Sequence, residues 1–173
     1  RKFRLRTYGK QFVPSLPIYL EEKNRDGDRV HKHRIPIDSS HLPVFCAPER
    51  YPDLPEFLSG IDLVDRFLFD ALRRSLKPKL LVDYVRRPYV SSYDMNFRVT
   101  FDSILMSAKA DELFPPNRES WKYSLAGFTI LEVKFHRRIP AWFHRIIQAH
   151  NLRRVSFSKF CRGMETTNQA VEL

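Results

Sequence analysis

The sequence predicts an α+β fold, on three observations. Six segments alternate apolar and polar residues with the period of two that a β-strand imposes. One stretch, from about Gly60 to Leu76, repeats its apolar residues at helical spacing. A tight turn of the Asp-Gly type, Arg25-Asp26-Gly27-Asp28, joins two of the alternating segments as a β-hairpin. With 173 residues and 43% hydrophobic content, the chain is long enough for one domain with its own core.

The strand Phe128 to Phe135 shows the pattern best. Thr129, Leu131, Val133 and Phe135 point one way, and Ile130, Glu132 and Lys134 the other. Arg1 to Tyr8 sets Arg4 and Arg6 against Phe3 and Leu5. Ile18 to Asn24 groups Tyr19, Glu21 and Lys23 opposite Ile18 and Leu20. In Arg29 to Ile35 the set Val30, Lys32 and Arg34 alternates with His31, His33 and Ile35. Leu80 to Arg87 sets Val82, Tyr84 and Arg86 against Leu81, Asp83, Val85 and Arg87. Phe97 to Asp102 sets Arg98, Thr100 and Asp102 against Phe97, Val99 and Phe101. Strands of this kind make either a sheet with one wet face or a barrel with a charged bore, and alternation alone leaves both open.

Between the strands, Pro36, Pro43, Pro48, Pro52 and Pro55 predict an irregular surface connection from Pro36 to Pro55. Ser59 is positioned to cap the helix that follows, whose stripe is Leu63, Val64, Phe67, Leu68, Ala71, Leu72 and Leu76. Arg73, Arg74 and Lys77 sit near its C-terminal end, where the helix dipole favours cations, and Pro78 stops it. Pro140 suits the first turn of a shorter helix, Ala141 to about His150. Its buried side would be Trp142, Phe143, Ile146 and Ile147, with Asn151 at the C-cap. One domain is expected over residues 1–164, and residues 165–173 read as a polar tail.

The formal net charge of +10 and pI near 9.9 point to an anionic partner. Cys46 and Cys161 are the only cysteines and lie far apart, which implies neither a disulfide framework nor a zinc ribbon and fits a reducing, cytoplasmic home. No apolar run approaches the roughly 18 residues of a membrane span. His31 and His33 share a strand face, and the expectation is that they are solvated rather than metal-bound. Signatures of other site chemistries are missing: no Gly-x-x-x-x-Gly-Lys-Ser/Thr loop, no His-Glu-x-x-His, no Gly-x-Ser-x-Gly.

Several short motifs occur in one fixed order. They are Arg-x-Arg-x-Tyr-Gly at Arg4 to Gly9, Leu-Glu-x-Lys at Leu20 to Lys23, Tyr-x-Arg-Arg at Tyr84 to Arg87, Arg-Val-Thr-Phe-Asp at Arg98 to Asp102, Leu-Glu-Val-Lys at Leu131 to Lys134, and Ser-Lys-Phe at Ser158 to Phe160. Together they resemble the VTC domain of polyphosphate polymerases, within the triphosphate tunnel (CYTH-like) superfamily. The resemblance implies a closed antiparallel barrel of about eight strands, helices outside and charged side chains within. It implies a nucleoside triphosphate in the tunnel, a divalent Mn²⁺ or Mg²⁺, and transfer of the terminal phosphoryl group of ATP to a growing polyphosphate chain.

Carried over by position, the phosphate-binding cations would be Arg4, Arg6, Lys23, Arg86, Arg98 and Lys159, with Lys32, Arg34 and Lys134 as further candidates and Tyr84 as a substrate contact. Glu132 matches the metal-binding glutamate, and Glu21 is the second carboxylate considered. The chemistry suits these residue types. Phosphoryl transfer asks the protein to align and neutralise charge, and arginine forks and lysines do both. The pattern departs from the family at Ser156, where the eukaryotic polymerases carry a lysine, and the family's early strands and their phosphate-binding lysine have no counterpart in these residues. The expectation is therefore a barrel incomplete at its N-terminus.

Two other readings compete. One is a hydrolase of tripolyphosphate or an organic triphosphate, in which water takes the phosphoryl group. The other is a non-catalytic domain for a polyanion, polyphosphate or RNA. An RNA-stacking face needs rings and cations on the same side, whereas Phe3, Phe97, Phe101 and Phe135 alternate out of phase with the cations, so no nucleic acid partner is expected.

Overall fold

The computed structural model describes residues 1–26, 29–110 and 112–170, and its strands keep the alternation of the sequence, although burial does not track the apolar side everywhere: Thr100 and Asp102 are buried while Phe101 is exposed. It is mixed α+β, with antiparallel strands throughout. The chain divides into two units: residues 1–79 with 110–117, and residues 80–109 with 118–173.

The first unit holds β1 (Lys2–Arg6), β2 (Ile18–Asp26) and β3 (Arg29–Ile37), hydrogen-bonded in the order β1-β2-β3. The hairpin register runs to Asp26 opposite Arg29; Gly27 and Asp28, the tip of the Asp-Gly turn, lie outside the described residues. Leu20 pairs with Leu5 and Ile35, and Ile18 with Ile37, so these side chains share one face. They join Val44, Phe45, Tyr51, Leu54, Leu63, Val64, Phe67 and Ala71 in a buried core.

The proline-rich connection is a correction. It is not irregular surface chain but carries helices α1 (Leu42–Cys46) and α2 (Leu54–Leu58) with two 3₁₀ turns, Ser39–His41 and Pro48–Asp53. Prolines stand in the first turns of these short helices, where a missing N–H costs nothing. Helix α3 (Asp62–Arg74) follows, shorter than expected. Ser59 does not cap it but closes α2, and Ile61 stands at the N-cap without a side-chain bond. Asp62 and Asp65 in its first turn meet the positive end of the helix dipole instead. Of its stripe, Leu72 is exposed.

The second unit is built on the long strand β5 (Arg98–Lys109), which pairs with β4 (Leu80–Val90), β6 (Lys122–Tyr123) and β7 (Ile130–Lys134). Sequence alternation stops at Asp102, yet the strand continues for seven residues because a bulge absorbs the break. Opposite Asp83 and Val85 the register jumps from Met106 to Ser103, and Ile104 adopts a left-handed backbone at φ 52°.

Helix α4 (Ala141–Ala149) packs Phe143 against Phe97 and Val99, with Leu131 and Val133 alongside. The helix begins at Ala141 as expected, with Pro140 at its N-cap. His150 is the C-cap, with Asn151 following at φ 50°. Trp142 and Ile146 remain 48% and 43% exposed, so the buried side of α4 is narrower than its sequence suggests. A further helix, α5 (Lys159–Thr166), forms where the sequence showed only a motif, and it runs past the expected domain boundary. Ser158 caps it, its Oγ accepting from the Cys161 N–H at 3.2 Å. Among the described residues no helix is long and apolar enough to cross a membrane.

Candidate functional site

In each sheet the candidate site residues lie on one face, while Glu22, paired with Arg1 and Arg66, is buried on the other face of the first sheet. In the first unit Arg4 stands opposite Glu21, which stands opposite Arg34. One row along, Lys2, Lys23 and Lys32 are mutually aligned; in the other direction Arg6 faces Tyr19. Register puts residues that are directly opposed on the same face. Arg4, Arg6, Lys23, Lys32 and Arg34 therefore share a face with a single aligned carboxylate among the described residues, Glu21. That carboxylate is engaged: Arg4 donates to it from Nε at 2.5 Å, Arg4 Nη2 lies 2.5 Å from the same oxygen, and Arg6 Nη1 lies 3.7 Å away. Lys23 and Lys32 have no carboxylate partner among the described residues. His31 and His33 lie on the other face, opposite Asn24 and Glu22.

In the second unit Arg86 is opposite Asp102, Thr100 opposite Glu132, and Arg98 opposite Lys134. Arg86 grips Asp102 with two hydrogen bonds, Nε to Oδ1 and Nη2 to Oδ2, each 2.7 Å, and Nη2 also reaches Glu132 Oε2 at 3.1 Å. Lys159, the first residue of α5, brings its Nζ to 2.7 Å from Asp102 Oδ2, and Lys134 Nζ lies 3.3 Å from Glu132 Oε1. The Tyr84 ring carries both cations, with Arg86 Cζ at 5.3 Å and Lys159 Nζ at 4.9 Å from its centroid. Arg86, Arg98, Glu132, Lys134, Lys159 and Tyr84 thus converge on one sheet face and the helix that crosses it.

Charge sets the protonation of this cluster. Burial alone would raise the Asp102 carboxyl, whose side chain is fully inaccessible, but hydrogen bonds from Arg86 and Lys159 outweigh it and hold the group below its ordinary range. Glu132 follows the same logic: burial pushes up, and Lys134, Arg86 and Lys159 together pull it below normal. Both are carboxylates at neutral pH, and the bond to Asp102 holds the proton more firmly on Arg86.

One cation is left out. Arg98 makes no ion pair among the described residues, its Nε is buried without a hydrogen-bond partner, and its cross-strand neighbour is another cation, Lys134. Like charges directly opposed destabilise a sheet, and a buried, unpaired guanidinium N–H costs about 1–3 kcal/mol. An anion lying across Arg98 and Lys134 would remove both penalties.

Residues 1–168 match the VTC domain. The chain belongs to the VTC domain family. No curated protein matches it. Membership points to a polyphosphate-related function and is consistent with an enzyme family of phosphotransferase type. The residue the sequence reading missed is Asp102. It stood in the Arg-Val-Thr-Phe-Asp motif and in phase with Arg98, but a carboxylate in an anion site is counter-intuitive until its two cationic partners are seen.

Proposed function

We propose that this VTC domain is a polyphosphate polymerase that passes the terminal phosphoryl group of ATP to a growing polyphosphate chain. The observation that carries the reading is the Arg98–Lys134 pair: two opposed cations, one with a buried donor lacking an acceptor, beside a carboxylate. A multiply charged anion bound across the pair would offset this charge excess and give the buried donor an acceptor. Family membership makes phosphate the anion of choice. In this reading the strands belong to a triphosphate-tunnel barrel of the family's kind, with Arg4, Arg6, Lys23, Lys32 and Arg34 as further phosphate contacts.

Glu132 is the residue that would hold Mn²⁺ or Mg²⁺. A hard divalent cation takes oxygen ligands, and one or two carboxylates plus substrate phosphates is its usual arrangement in phosphoryl transfer. Glu132 is ionised and only partly covered at 36% side-chain exposure, and a bound ion would share its oxygens with Arg86 at 3.1 Å and Lys134 at 3.3 Å. Glu21 fits less well as a second ligand, because Arg4 holds it more closely, at 2.5 Å. The ion would neutralise charge between phosphates. The protein's own work is to orient: Asp102 fixes Arg86 and Lys159, Arg98 and Lys134 grip phosphate oxygens, and the set stabilises the charge spread over the transferred group.

Incubating the protein with ATP and Mn²⁺ and resolving the products by chain length tests the proposal. A ladder of polyphosphates is the expected result. ADP and orthophosphate with no longer phosphate chain would assign hydrolysis instead, and binding of polyphosphate without turnover of ATP would leave a polyanion-binding domain.

A further inference from the structure

The cation face of the first sheet carries two tyrosines at one end. Tyr8, two residues beyond Arg6, lies edge-on to Tyr19, with ring centroids 6.4 Å apart and an interplanar angle of 79°. The Arg6 guanidinium sits 5.1 Å from the Tyr8 centroid and that of Arg34 lies 4.8 Å from the Tyr19 centroid. These rings are in phase with the cations, unlike the phenylalanines of the same strands. Tyr8 is 61% exposed, so much of its ring is open to solvent.

The face also has a direction. Register places Arg6 with Tyr19 in one row, Arg4, Glu21 and Arg34 in the next, and Lys2, Lys23 and Lys32 beyond them, with about 7 Å between rows. Rings come first, then arginines, then lysines. A nucleoside triphosphate has the same order of chemistry, with a flat base at one end and accumulating negative charge toward the other.

We propose that Tyr8, supported by Tyr19 and flanked by Arg6 and Arg34, is the seat for the base of a nucleotide whose phosphates run toward the arginine and lysine rows. The inference rests on the reading of the site as one for a nucleoside triphosphate. Bases stack on tyrosine with little regard to their identity, and guanidinium groups stack on either ring system, so the seat selects nucleotides over bare polyphosphate without selecting one base. With rings at one end of the face only, it offers room for one base rather than for a strand of RNA.

Tyr8 is the residue to change, because it is exposed and lies outside β1. Titration calorimetry of the full chain with ATP and, separately, with inorganic tripolyphosphate, each with Mn²⁺ at one salt concentration, gives two affinities per variant. Tyr8→Ala is expected to weaken ATP binding about tenfold, the scale of one lost stacking contact, while tripolyphosphate binding stays unchanged. Tyr8→Phe keeps the ring and should leave both affinities as they were. Unchanged ATP affinity in Tyr8→Ala, or equal weakening of both ligands, overturns the base seat while the phosphate site stands. A wild-type chain that binds neither ligand removes the phosphate reading and the seat with it.

Discussion

Asp102 shows how much one side chain can organise. It is buried, ionised, and bonded to one cation from β4 and one from α5, so it joins strand to helix and holds both cations in place. Removing one partner from a buried ion pair leaves the others uncompensated, at a cost of about 3–5 kcal/mol. Asp102→Asn should therefore lower stability by that order in urea unfolding and reduce phosphoryl transfer, because Arg86 and Lys159 lose their fixed orientation. A variant as stable and as active as the parent would deny Asp102 this role. Arg98→Ala acts differently. It removes a guanidinium that makes no ion pair among the described residues and whose Nε has no acceptor, so stability should hold or rise in the same urea experiment, while tripolyphosphate affinity falls by about 1.5–3 kcal/mol, the worth of a hydrogen bond to a charged group. Glu132→Gln keeps the shape and removes the charge, so turnover should become insensitive to added Mn²⁺ while tripolyphosphate still binds.

Helix α5 reaches the sheet through a glycine. A Cβ built on Gly163 would lie 2.5 Å from Leu80 Cδ2 and 2.6 Å from Ser107 Oγ, and Ser107 is itself buried and hydrogen-bonded to Ser124 at 2.8 Å. Leu80 can swing aside; the short Ser107 side chain cannot. Gly163→Val should cost about 1–3 kcal/mol by overpacking, and by lifting α5 it should also draw Lys159 from Asp102. Loss of activity from a residue with no polar atom in its side chain would be the signature, read by comparing thermal melting with the transfer rate. This helix was not legible in the sequence, since Lys159 to Thr166 has a glycine inside and a narrow apolar stripe; the Ser158 cap starts it and the sheet beneath it packs against Gly163. The hairpin and the two-faced strands were legible, because strand parity in a half-buried sheet is set by the side chains themselves. The proline run misled because prolines in first turns and prolines in loops look alike until the helices are seen.

At the scale of the whole molecule, the charge of +10 and the individual sites respond differently to solution conditions. Lys23 and Lys32 are exposed, whereas Arg98 is half-buried, and salt screens exposed charges most. The loss in tripolyphosphate affinity from Lys23→Ala should thus shrink as salt is raised, while that from Arg98→Ala persists. Acid acts through the carboxylates. Asp102 and Glu132 have folded-state values below their unfolded ones, so the unfolded chain binds more protons as the pH falls through about 4. Their stabilisation is complete above that range and is lost below it. Thermal melting against pH should show a decline under about pH 4 that is shallower in Asp102→Asn. The general pull toward an anionic partner was legible from composition, but the partition of cations into those held by carboxylates and those left for a ligand was not, because pairing across strands depends on register.

The left-handed residue in β5 has a consequence for how the gene can vary. Before Ile104 the even-numbered residues Arg98, Thr100 and Asp102 meet the charged side; after it the odd-numbered Ser107 does so, on the face crossed by α5. The strand changes parity at that point, as a reading frame does at an inserted base. A β-branched residue in this conformation is strained by about 1–2 kcal/mol, and being 54% exposed it contributes little packing in return. Ile104→Asn should accordingly raise the melting temperature. Deleting Ile104 should be ruinous despite shortening only an exposed bend, because every residue from Leu105 to Lys109 would then present its opposite side, and the helix carrying Lys159 would find the wrong surface beneath it.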